Sequence, residues 1–265
     1  MTIQIDQGLP IHRLNLAEHA ADGLGPLHTE WLLTNGTGAF AMGSVAGCNI
    51  RRYHGHLIAA TDPPVGRVNA LSHIAENVRF DDQSFDLDAH EFATDGSTTF
   101  HPQGWRHLQS FEKTPTRVTW HYQCGPVHIE KSLQLVWKRQ MGVVTYRLDF
   151  EANAPDRVIL NLRPFTAMRD FHAMQHAFAI PFVLNGSKRN VDVTSTLAPT
   201  LHLSSTAGRF VRQPDWWHRF HYRVEAARHQ DCQESLFTPG YYEQTVDTNQ
   251  PSEIRIAFGI EPIDW

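Results

Sequence analysis

The chain has 265 residues, a net charge of −5, 17 histidines and three cysteines, and its charges form no basic stripe. That distribution argues against a DNA or RNA surface, and Cys48, Cys124 and Cys232 stand too far apart to spell a disulfide framework or a zinc site. A chain this long can bury a core large enough to stand without metal or disulfide, and all-β folds of this length often form a single domain.

The N-terminal run MTIQIDQGLPIHRLNL has no basic stretch followed by an apolar core, so no secretory signal is expected. No apolar run reaches the length of a membrane span. Together with three unpaired cysteines this predicts a soluble, cytoplasmic protein with no membrane partner. Residues 14–21 are expected to form a short helix, within a less regular first 25 residues.

The segment from Glu30 to Gly55, EWLLTNGTGAFAMGSVAGCNIRRYHG, concentrates five glycines, two arginines, a tyrosine and a histidine. Glycine is used where φ must be positive or another group must approach the backbone closely. Arg51 and Arg52 bring forked donors, and Tyr53 and His54 bring flat faces with polar edges, a set suited to a hydroxyl-rich or anionic ligand. Gly36-Thr37-Gly38 continues into Ala39, Phe40 and Ala41, and no Gly-Lys-Ser/Thr follows, so neither a dinucleotide fingerprint nor a P-loop is present.

Beyond this segment the dominant period is two. It runs through Val118, Trp120 and Tyr122, then through Val127, Ile129, Leu133, Leu135 and Trp137, with Lys131 as the exception. The same pattern holds for Val144 to Phe150, Val158 to Leu162 and Ile254 to Phe258, as strands with one buried face require. Turn chemistry punctuates these runs at residues 62–66, 81–84, 95–97, 185–187 and 239–240. A second short helix is expected over residues 224–233. The reading is an all-β, large antiparallel sandwich of one domain, 1–265, with one or two short helices.

Three further clusters carry chemistry. His101-Pro102-Gln103-Gly104-Trp105-Arg106-His107 can offer a Trp face to a sugar ring while His101 and Gln103 reach its hydroxyls; the competing role for Trp105 is to fill the core. Arg169, Asp170 and His172 follow a strongly alternating strand, and strand-end loops are where sites sit. Asp215-Trp216-Trp217-His218-Arg219-Phe220-His221-Tyr222 can line a groove or form a buried amphipathic strand. His54 and His56 lack a third ligand at a convincing spacing, so no metal or other cofactor is expected. No nucleophile elbow appears and no carboxylate pair is singled out for glycoside hydrolysis.

The order of these blocks resembles the N-terminal domain of bacterial and archaeal type glycogen debranching enzymes, the amylo-α-1,6-glucosidase family. The resemblance rests on Glu30-Trp31-Leu32, Asn35 to Gly38, Gly43 to Gly47 with Asn49, Arg51 to Gly55 and Pro63 to Arg67. It extends through His101 to Phe111, Leu162 to Met174, Asp215 to Tyr222 and Glu234 to Gly240. It departs at Ala39 and Phe40, where Gly and Tyr are usual, and Cys48 and Ile50 flank Asn49.

The resemblance implies a β-supersandwich of the galactose mutarotase-like and glucoamylase N-terminal type. It implies a domain that positions an α-glucan (glycogen, starch or a maltooligosaccharide) for a separate (α/α)6 catalytic barrel, in cis or in trans. That barrel and its catalytic carboxylates are expected to lie outside this chain. The implied substrate-binding set is Asn35, Arg51, Arg52, Tyr53, His54, His101, Gln103, Trp105, Arg169, Asp170 and His172, with no catalytic residue among them. Two other readings stand beside it: a stand-alone α-glucan binding or regulatory protein, and a mutarotase-like sugar epimerase, which needs a His and a carboxylate facing each other across a concave pocket.

Overall fold

The computed structural model describes residues 2–6, 9–16, 24–179 and 181–264. Within them the strands assemble into three sheets whose ladders all run antiparallel. A ten-stranded sheet is centred on the run Leu108–Lys113, Arg117–Cys124, Val127–Leu135, Met141–Phe150 and Ser252–Gly259. A seven-stranded sheet places Gln233–Asp247, Arg157–Phe165 and His73–Phe80 side by side, with Arg209–His221 on the far flank of Gln233–Asp247. A five-stranded sheet runs from Arg169–Asp170 through Gly66–Leu71, Gly55–Asp62 and Phe40–Ser44 to Glu30–Thr34. The fold is the large antiparallel sandwich expected from the alternation, and the β-supersandwich that the resemblance implies, with short helices at Leu24–His28 and Arg223–Ala227.

One core joins the three sheets. Val144, Tyr146 and Leu148 of the ten-stranded sheet, Val78, Leu160 and Leu162 of the seven-stranded sheet, and Trp31, Leu57 and Ala59 of the five-stranded sheet belong to a single buried cluster. Burial of this apolar surface is the main favourable term in folding. Trp31 and Trp120 meet edge to face with centroids 5.5 Å apart, and the Trp120 indole N–H donates to the Val45 carbonyl at 3.0 Å. That geometry satisfies the one polar atom such a ring brings into a core.

Lys131, the break in the alternating pattern, also faces inward. Its ammonium lies 2.5 Å from Glu76 and 5.2 Å from the centroid of Trp120, and the Tyr146 hydroxyl donates to the same Glu76 oxygen at 2.7 Å. Burial raises the Glu76 carboxyl above its usual range, with Lys131 pulling the other way. A charged pair in a core is tolerated because each partner answers the other.

Four sequence expectations are corrected. Leu14 and Asn15 do not start a helix: they lie in the strand Leu9–Asn15, laddered to Phe111 and Ser110, so tertiary pairing overrides local propensity; residues 17–21 lie outside the described set. The second helix stops at Ala227, and Gln233 already opens the next strand. Trp137 does not continue its strand, which ends at Leu135; it is 66% exposed and lies over Gly36, where a Cβ would come within 2.4 Å of the ring. Pro239-Gly240 is no turn. It sits inside the strand Gln233–Asp247, where Gly240 takes φ +137° and the register with the neighbouring strand slips between Arg212 and Asp215. This is a bulge, a place where a strand accepts both Pro and Gly.

Among the described residues no helix is long and apolar enough to cross a membrane. Replacing Lys131 by Ala leaves the Glu76 carboxylate buried without its counter-ion. This is expected to cost about 3–5 kcal/mol of unfolding free energy in a urea titration, and a loss below about 1 kcal/mol would show that the pair does not hold the core.

Candidate functional site

The hairpin Glu30–Thr34 and Phe40–Ser44 turns on Asn35, whose side-chain oxygen accepts the N–H groups of Thr37 at 2.9 Å and Ala39 at 3.0 Å. Its amide donates to the Arg139 carbonyl at 2.8 Å. Gly36 and Gly38 supply the positive φ values of that turn, +81° and +96°. Asn35 is therefore a buried turn organiser at the tip of the hairpin, apart from the other proposed site residues.

At the other end of the hairpin the chain enters the turn of Arg51, Arg52, Tyr53 and His54, closed by the His54 N–H to the Arg51 carbonyl at 3.1 Å. Glu30, at the start of the hairpin, holds two of these side chains. The Arg51 guanidinium forks onto its carboxylate at 2.6 and 3.0 Å, and His54 Nε2 lies 2.7 Å from Oε1. The Ile50 N–H donates to His54 Nδ1 at 3.3 Å, which makes Nε2 the protonated nitrogen that faces Glu30. The hydrogen bond from His54, reinforced by Arg51, brings the Glu30 carboxyl down to about 2. Burial pulls the His54 imidazole below its usual range, and Glu30 opposes that pull.

Arg52 reaches across the sheet junction. Its guanidinium donates to the His172 carbonyl at 2.8 Å, the Gln230 side chain at 3.0 Å and the Asp231 carbonyl at 3.0 Å, and its Nε stands 3.6 Å from the fully buried Glu225. Beneath it, Arg169 is 2% exposed and forks onto Glu234, with its Nη2 2.9 Å from one carboxylate oxygen and 3.0 Å from the Arg52 carbonyl. Tyr222 donates its hydroxyl to the same carboxylate, and the Gln175 N–H adds a contact at 2.9 Å. Planar bidentate pairs of this kind fix orientation as well as charge.

On top of this clamp sit the more accessible groups. The Tyr53 hydroxyl lies 3.1 Å from His172 Nδ1, the two rings meet edge to face at 5.6 Å, and Asp170 accepts the His172 N–H at 2.8 Å. Asp170 and His172 are exposed and Tyr53 is half-buried. The structure thus gathers seven of the sequence-nominated residues, Arg51 to His54 with Arg169, Asp170 and His172, into one place.

The His101 block lies elsewhere. Trp105 is buried and packs with Leu27, Ala46, Cys48, Ile50 and Ala89, so it fills a small core directly behind the Arg51 turn. Gln103 folds back on the Phe100 carbonyl at 3.3 Å. His101 is exposed at the rim of a cleft on the outer face of the seven-stranded sheet. Gly104 is obligatory for a steric reason: a Cβ there would lie 2.1 Å from the backbone of Leu87.

Residues 29–252 match the family described as glycogen debranching enzyme N terminal. The chain belongs to that family. Among solved structures, a protein described as a kojibiose phosphorylase from human microbiome superposes with a TM-score of 0.50 at 9% identity, over 97% of this chain and 32% of its own. The chain therefore spans about a third of that protein's length. A bacterial glucoamylase complexed with acarbose aligns over 96% of this chain and 36% of its own, at a TM-score of 0.38 and 12% identity. A protein described as an aldose 1-epimerase from Escherichia coli K12 aligns over 87% of this chain and 98% of its own, at a TM-score of 0.40 and 7% identity. No curated protein sequence matches.

In this family member, sequence reading missed the carboxylates that organise the site: Glu30, Glu225 and Glu234, with Tyr222 and Gln230. Glu30 and Glu234 stand inside conspicuous blocks, Glu-Trp-Leu and Glu-Ser-Leu-Phe-Thr-Pro-Gly, and an acidic residue in each was the available signal. Glu225 carried no signal beyond its place in a short helix. Among the described residues no group of three or more His, Cys, Asp or Glu side chains is arranged to hold a metal ion.

Two outcomes are expected. Glu30 binds its proton less readily in the folded chain than its ordinary value of 4.5, so its contribution to stability is complete above that value and disappears as pH falls toward about 2. Glu30→Gln should flatten that acid limb when unfolding is followed by circular dichroism; an unaltered limb would show that the clamp contributes nothing. Gly104→Ala should destabilise by roughly 1–3 kcal/mol through overpacking against Leu87, read from the denaturant midpoint.

Proposed function

We propose that this chain is the substrate-positioning N-terminal domain of a glycogen debranching, amylo-α-1,6-glucosidase type glycoside hydrolase. It acts on α-glucans together with a helical (α/α)6 domain, joined in cis or assembled in trans. The family membership and a core shared by three sheets support treating residues 1–265 as one such unit.

The observation that carries this reading is the clamped platform. Glu30 and Glu234 hold Arg51, His54 and Arg169 rigidly, and Tyr53, Asp170 and His172 stand above them in positions open to hydroxyl groups. Asp170 offers an acceptor, and Tyr53 with His172 offers a linked donor and acceptor pair. The bond-breaking acid and base are assigned to the helical domain. The contribution of this chain is geometric: glucan hydroxyls held against a preorganised surface reach the catalytic carboxylates with less loss of entropy at the moment of reaction.

Arg52 ties the platform together from beneath. Arg52→Ala, made in the chain joined to its helical domain, should lower kcat/KM for a branched glucan by roughly 10- to 100-fold. His172→Ala should act mainly through KM. Wild-type kinetics for both variants, with the fold intact by circular dichroism, would overturn the reading.

A further inference from the structure

The seven-stranded sheet has a second face, turned away from the core. Along Arg157–Phe165 and His73–Phe80, Leu160, Leu162 and Val78 face inward, and Asn161, Arg163 and Asn77 therefore face outward, as strand alternation requires. These outward groups, with Tyr241, Trp217 and His101, line a cleft of about 320 Å³. We propose that this cleft binds a neutral sugar of one or two pyranose rings, independently of the Arg52 platform.

Its size lies at the lower end of the range for small-molecule sites, roughly 300–1,000 Å³, which suits a mono- or disaccharide better than a long glucan. The chemistry of the walls sets the ligand class. Trp217 is half-buried, pinned edge to face against Phe165 at 4.8 Å, and offers a fixed flat surface to the C–H face of a sugar ring. Arg163 stands 5.0 Å over the Tyr241 ring and donates to Gln213 at 2.5 Å, so its fork is held in place before any ligand arrives.

Asn161 has a buried side-chain oxygen without a hydrogen-bond partner. A buried acceptor in that condition calls for an O–H or N–H donor. A sugar hydroxyl supplies one.

The charges around the cleft are of both signs. Arg79 faces Glu243 at 3.9 Å, Asp86 accepts from Asn77 at 2.7 Å, and Asp88 lies 2.5 Å from His90. With three carboxylates (Glu76, Asp86 and Asp88) and two guanidiniums (Arg79 and Arg163) among its lining residues, the cleft has no surplus positive charge to attract a phosphate or carboxylate. This favours a neutral polyol over a phosphorylated sugar.

The test is titration of the whole chain with maltose, glucose, glucose 1-phosphate and inorganic phosphate, followed by tryptophan fluorescence and calorimetry. Saturable binding of maltose or glucose is expected, with glucose 1-phosphate no tighter. His101→Ala and Asn161→Ala should each weaken it by about fivefold to tenfold, as the loss of one hydrogen bond does. His101 is exposed, so its variant keeps the question open to a clear answer even where Asn161→Ala fails to fold.

No saturable sugar binding, phosphate compounds binding more than about tenfold tighter than maltose, or wild-type affinity in the folded His101→Ala variant would each overturn the proposal. Binding is read on this chain alone. Its failure leaves the role of the platform in the joined enzyme intact, and the failure of Arg52→Ala to slow that enzyme leaves the cleft intact.

Discussion

The fork between Arg169 and Glu234 is the constraint on which the rest of the site depends. Arg169 belongs to the five-stranded sheet and Glu234 to a strand of the seven-stranded sheet, and both side chains are almost completely buried. Removing two charges from water is costly, and only a well-formed pair with its remaining hydrogen bonds satisfied makes the burial tolerable. Tyr222, the Gln175 N–H and the Arg52 carbonyl complete that shell. The two sheets are thereby set at one relative position, and the Arg51 to His54 turn inherits its place from that junction.

A second carboxylate, Glu30, does from above what Glu234 does from below. It takes a guanidinium fork from Arg51 and a hydrogen bond from His54, so the turn is gripped on both sides. Trp105 closes the space behind Ile50 with apolar surface. Between them these contacts leave few rotamers to the anchoring side chains, while Tyr53, Asp170 and His172 remain at the surface. The arrangement is that of a support with a small polar face, which fits a domain that holds substrate.

Much of the fold could be read from alternation because each strand has one face on a shared core, and Val144, Tyr146 and Leu148 display that directly. The same rule ran past the end of a strand at Trp137, since a period of two carries no information about where pairing stops. Pro239-Gly240 looked like a turn because bulges and turns call for the same residues. The site was legible as separate blocks: glycines, arginines and histidines in unusual density marked the segments, and the resemblance put them in order. What the chain could not display locally was their meeting. Glu30 lies 21 positions from Arg51 and Glu234 lies 65 from Arg169, and nothing in a carboxylate's neighbours in sequence tells which cation it will face. Trp105 shows the same limit, because an aromatic beside a Pro and a Gly has equal reason to meet a sugar or a core.

The hydrogen bonds of Arg52 span 120, 178 and 179 positions along the chain. Contacts of that separation form late, since both distant segments must already be placed before either gains anything from the other. The entropy of closing so long a loop grows only slowly with its length, so the burden falls on the time needed for assembly more than on final stability. The Arg52 junction therefore cannot close until Gln230 and Asp231 are in place. A growing chain that has emerged only as far as the Arg51 turn already holds both partners of the Glu30 fork, and it completes the platform only when the strand carrying Glu234 docks.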